Sequence, residues 1–246
     1  MMNSSNPTLS EKAFNSVGVD NVNPMTLQGT VNKSALLLAM VLLPAYFTWQ
    51  KFMTQPAEAM PWIWGGLIGG LVFCLVTCFK KEWSAVTAPL YAVSEGLLLG
   101  AVSAMYEVQF HGIVLQAVLL TTGTLIGMLG LYTTRIIQPT KKFVMGVFAA
   151  TAGIALTYLI AMVLSMFGIK LGFLYGSSMF SIGISFVIVI VAALNLIIDF
   201  GVIEHGVQTR APKYMEWYAS FGLLVTLVWL YLEILRLLSK FASRRN

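Results

Sequence analysis

An all-α integral membrane protein, a bundle of seven transmembrane helices, is predicted by three observations. The chain of 246 residues is 58% hydrophobic and only 10% charged, with a mean hydropathy of +0.81; ordinary soluble domains carry about 25% charge and could not bury so much apolar surface. The apolar residues form continuous runs, not alternating ones, which selects helices over a closed barrel. Seven of the runs suit a hydrocarbon layer about 30 Å thick, which takes roughly 20 helical residues to cross.

Taken in order, the first run is Ala35–Phe52, closed by the Thr54–Pro61 turn with its two prolines. Trp62–Phe79 follows and stops at Lys80 and Lys81, where the charge marks an interface. After Lys80–Ser84 comes Val86–Tyr106, ended by the polar turn Glu107–His111. Gly112–Thr133 precedes the basic, proline-containing segment Arg135–Lys142. Phe143–Phe167 ends at the glycine-marked turn Gly168–Gly176, Ser177–Phe200 at the polar stretch Gly201–Glu216, and Trp217–Leu238 closes the series. Such short connections leave no room for a second folded domain. The expected organisation is a polar cytosolic arm over 1–33, a transmembrane domain over 34–240 and a basic tail over 241–246.

The arm is rich in Asn, Ser and Thr and reads as mobile up to about Asn23. Met1–Gly18 has neither the basic start nor the apolar centre of a secretory signal, so the first span should serve as the insertion signal. With the N-terminus inside, inner segments hold Lys12, Lys33, Lys80, Lys81, Arg135, Lys141, Lys142, Arg210 and Lys213, whereas outer loops hold only Lys51 and Lys170. Seven crossings then place Arg236, Lys240, Arg244 and Arg245 on the far side, against the same rule. Either earlier helices overrule the last one, or it enters and turns back as a re-entrant segment.

The net charge of +5 does not indicate nucleic acid, because the basic residues stand in ones to threes at span ends, where lipid headgroups account for them. Cys74 and Cys78 lie one turn apart on one helix, too close for a stable bridge and without metal-ligand companions. The pairs Gly66 and Gly70, Gly65 and Gly69, Gly96 and Gly100, and Gly123 and Gly127 have the spacing that lets helices approach closely in lipid.

A carboxylate deep in a span costs roughly 2.5–3.5 kcal/mol on insertion scales, so the acids inside the runs are where function is sought. Glu95 stands in the third span with no basic residue within two turns. Glu233 lies deep in the last span with Arg236 three residues on, at the spacing of an intrahelical pair. Asp199 closes the sixth span, Glu204 and His205 follow it, and Glu216 opens the seventh; a short connection returns all four to one depth at the cytosolic end. They read either as a solvated rim pairing with Arg210 and Lys213, or as an oxygen cluster for calcium, with Asp199 and Glu216 as ligands. In the second case protons compete with the metal, His205 tunes the cluster, and occupancy changes with pH.

The segment Met25-Thr-Leu-Gln-Gly-Thr-Val-Asn-Lys33, the Glu95-Gly96 pair, Asp199, Ala211-Pro-Lys-Tyr-Met-Glu-Trp-Tyr218 and Trp229-Leu-Tyr-Leu-Glu-Ile-Leu-Arg-Leu-Leu238 resemble the Bax inhibitor-1 family in its bacterial branch. The likeness runs from about Met25 to Lys240. It implies a bundle around a central last helix, set in the bacterial inner membrane, and a calcium leak governed by two pH-responsive acids. One of those acids matches Asp199; the register of its partner on the seventh helix reads Phe221-Gly-Leu-Leu-Val-Thr226, without a carboxylate. Glu216 or Glu233 takes that role, or the paired gate is absent. Glu95 carries over as a buried acid paired with a basic group.

Two function classes stand open. One is a pH-sensitive calcium-permeable leak gated at the cytosolic end of helices 6 and 7, with Asp199, Glu216 and Glu233 as gate, Glu95, Glu204, His205 and Arg236 in support, and calcium as a permeant or bound ion. The other is a non-conducting module that restrains another membrane protein, such as a protease, through its polar arm. Beyond calcium, the expected partners are protons and the lipid bilayer, with no tightly bound cofactor. An enzyme is not expected, since neither histidine belongs to a protease or metal motif.

Overall fold

The computed structural model describes residues 18–20, 22–169 and 171–245. Among them seven helices are long and apolar enough to cross a membrane. They are α1 Leu27–Thr54, α2 Pro56–Phe79, α3 Ser84–Gln109, α4 Ile113–Thr133, α5 Lys141–Met166, α6 Met179–Gln208 and α7 Met215–Arg245. A 3-10 turn, Lys81–Trp83, leads into α3, and a single helical turn, Gly172–Tyr175, lies between α5 and α6.

The helices overrun the apolar runs. Helix α1 begins at Leu27 instead of Ala35, because Thr26 caps it: its extended backbone lets Oγ1 accept from the Gly29 N–H at 3.0 Å. Helix α2 starts on Pro56, whose missing N–H has no intrahelical acceptor to lose at that position. Helix α6 continues through Phe200 to Gln208, so the stretch expected as a loop from Gly201 is mostly helix. Helix α7 is continuous over 31 residues, a length on the order of 46 Å, and has no internal turn of the kind the re-entrant alternative needs.

Residues 1–17 and Asn21 of the expected arm lie outside the described residues, as do Lys12 and Lys170. The Asp20 N–H donates to the Arg210 carbonyl at 3.0 Å and the Met25 N–H to that of Ala211 at 2.7 Å, and Pro24 faces Pro212 in an antiparallel bridge.

The chain divides into two compact units: residues 18–111 with Val202–Val225, and Gly112–Gly201 with residues 226–245. In the first, α3 packs between α1 and α2 through its small residues. A Cβ on Gly96 would lie 2.7 Å from Pro44 Cγ, and Gly100 faces Ala45 and Thr48, so no larger residue fits without moving α1. Gly66 is equally close to the Ser94 carbonyl. Tyr91 meets Phe221 edge-to-face at 4.9 Å. In the second unit the Asn195 amide of α6 donates to Thr151 of α5 at 2.9 Å, Tyr132 meets Phe200 at 5.7 Å, and Gly201 abuts Pro139. Gly123 and Gly127, by contrast, meet nothing within 4 Å. Large apolar side chains such as Leu43, Ile126 and Val187 are exposed, as lipid-facing positions require.

Candidate functional site

Helix α6 is the most enclosed of the seven, with 67% of its apolar stretch buried. Asp199 lies within it among Leu196, Ile197 and Ile198, and its own exposure is 0%. The sequence placed this acid at the end of a span; the helix instead runs on to Gln208, so Asp199 is an interior residue rather than a rim charge. Asn195, one turn earlier on the same face, is also buried and donates to Thr151 and to the Val191 carbonyl. A short polar stripe thus interrupts an otherwise apolar helix.

Glu233 on α7 is buried as well, and it is surrounded by donors. Arg236 Nη1 lies 3.1 and 3.2 Å from its two oxygens, the Tyr158 hydroxyl 2.9 and 3.0 Å, and Trp229 Nε1 donates at 3.3 Å. Arg236 also donates to the Tyr158 hydroxyl and lies 5.0 Å from the ring centroid. The Glu233–Arg236 pair expected from the spacing is present. Tyr158, from α5, and Trp229 were not foreseen, since nothing in a single sequence marks which aromatic residue faces a given acid.

In the other unit, Glu216 stands in the first turn of α7 with 0% exposure. Its Oε1 accepts from the Thr26 N–H at 2.9 Å, the Thr26 hydroxyl at 2.8 Å and Lys213 at 2.9 Å, and its Oε2 pairs with Lys33. Lys33 also lies 5.4 Å from the Trp217 ring. One turn on, the Ser220 hydroxyl donates to the Thr30 carbonyl at 2.9 Å. The start of α7 is therefore latched to the start of α1. Both Glu216 oxygens are thus engaged by protein donors, and its burial corrects the solvated-rim reading, although the Lys213 pairing in that reading does occur.

Glu95 is half-buried, and the Tyr91 hydroxyl one turn before it is a hydrogen-bond partner of its carboxyl group. Glu204 and His205 sit on the last turns of α6 instead of in a loop, both half-buried, with Gln208 donating to Glu204 at 3.3 Å. Among the described residues, no group of three or more His, Cys, Asp and Glu side chains could hold a metal ion.

A family model described as Bax inhibitor 1 like matches residues 6–243. Searches among curated proteins and among solved structures return no match.

Proposed function

The chain belongs to the Bax inhibitor 1 like family of multi-pass membrane proteins, and we propose that it is a pH-sensitive, calcium-permeable leak in the bacterial inner membrane, its N-terminus in the cytosol. The observation that carries this reading is the complete burial of Asp199 inside an apolar helix. A carboxylate at such a place costs roughly 2.5–3.5 kcal/mol on insertion scales, a burden that a purely structural helix has no reason to bear. A proton or a passing divalent cation relieves it, and calcium takes carboxylate oxygens readily.

Of the three acids assigned to the gate, Glu216 is held by two lysines and Glu233 by Arg236. In this reading both are fixed anchors, and Asp199 is the group whose charge changes. Asn195 lends it a polar neighbour one turn away. The protein then needs no catalytic residue and no tightly bound cofactor.

The test is calcium entry into indicator-loaded liposomes across a pH series. Wild-type flux should vary with pH, and Asp199→Asn should flatten that dependence. An Asp199→Asn variant with wild-type pH dependence would remove the residue from the mechanism. Absence of wild-type flux at every pH would favour the non-conducting module that modulates another membrane protein.

A further inference from the structure

Lys240, one turn beyond Arg236 on α7, is buried to 5% exposure, and among the described residues its hydrogen-bond partners include no carboxylate. Its Nζ lies 2.6 Å from the Leu174 carbonyl, 2.6 Å from Ser185 Oγ, 2.8 Å from Ser181 Oγ and 3.3 Å from the Ser181 carbonyl. An ammonium has three N–H donors, so the four oxygens saturate it. The two hydroxyls stand four residues apart on one face of α6, and the Leu174 carbonyl comes from the isolated turn Gly172–Tyr175, where no following helix claims it. Along α7 the charges that act on Lys240 are Arg236 and Glu233, and those two pair with each other.

A cation in this position exchanges its hydration for neutral oxygens alone, which is how selective filters hold monovalent cations. Burying a charge is costly unless hydrogen bonds of this kind compensate it. We propose that these four oxygens form a monovalent-cation site that the chain fills with its own Lys240 ammonium, and that the site accepts a free ammonium or potassium ion once the lysine is removed. The site does not depend on whether the protein conducts calcium.

The wild-type protein in detergent gives the first test, by acylation of lysines followed with mass spectrometry. Lys240 should react at least about tenfold more slowly than exposed Lys142, since it must be released before it can react. Equal rates overturn the proposal. In Lys240→Ala, the melting temperature should rise saturably with ammonium or potassium chloride but not with tetramethylammonium chloride at equal ionic strength, and adding Ser185→Ala should abolish the rise. No response, or the same response to all three salts, overturns it. Should Lys240→Ala not fold, Ser181→Ala/Ser185→Ala in the presence of the lysine serves instead: Lys240 should there label as fast as Lys142, and continued protection overturns the proposal.

Discussion

Helix α7 carries a buried carboxylate in its first turn and a buried ammonium near its last, and the two are housed in opposite ways. Glu216 is met by charge: two lysines and both donors of Thr26 converge on its oxygens. Lys240 is met by dipoles: two hydroxyls and two carbonyls surround it with no formal counter-charge among them. A charged partner makes a strong latch, but it leaves a second unpaired ion behind when broken. A neutral cage makes a weaker one, whose members can find other hydrogen bonds.

The sharpest way to break this contrast is to remove each charge and compare the losses. Glu216→Ala strands two ammonium groups and the Thr26 N–H together. Breaking a buried ion pair costs roughly 3–5 kcal/mol, and since Lys33 and Lys213 keep 19% and 43% side-chain exposure the loss should fall near 3 kcal/mol, read from thermal unfolding in micelles. Lys240→Ala leaves only neutral oxygens and should cost about 2 kcal/mol in the same assay. A larger loss for Lys240 than for Glu216 would invert the contrast. The smallest effect is expected at Thr26, whose hydroxyl both caps α1 and donates to Glu216. Thr26→Ala should lose about 1 kcal/mol, with Thr26→Ser close to wild type.

The seven helices were legible because a bilayer imposes a minimum apolar length, and that length is written in the composition of each run. Their ends were not, because hydropathy reports depth in the membrane whereas a helix continues wherever its backbone bonds are satisfied. Gln28, Asn32 and Lys33 are polar yet helical, and so are Glu204 and His205. The acids of the site were visible one by one as unlikely residues in apolar runs. Their partners were not, since Thr26 is 190 residues from Glu216 and Tyr158 is 75 from Glu233. The pairs read correctly, Glu233 with Arg236 and Glu216 with Lys213, are the local ones. Lys240 was counted only among charges opposing the orientation rule; its cage, together with the Arg236 pairing, means that two of those four charges have internal roles.

The latch between Thr26 and Glu216 also has a timetable. A ribosome reaches position 216 only after adding 190 residues beyond Thr26, which at roughly 5–20 residues per second is a wait on the order of 10–40 s. Throughout that interval the start of α1 lacks its final acceptor, and Lys33 its partner. Maturation of the first helix therefore falls to the last part of translation, and truncated chains that stop before α7 would carry an uncompleted entrance however well their earlier spans insert.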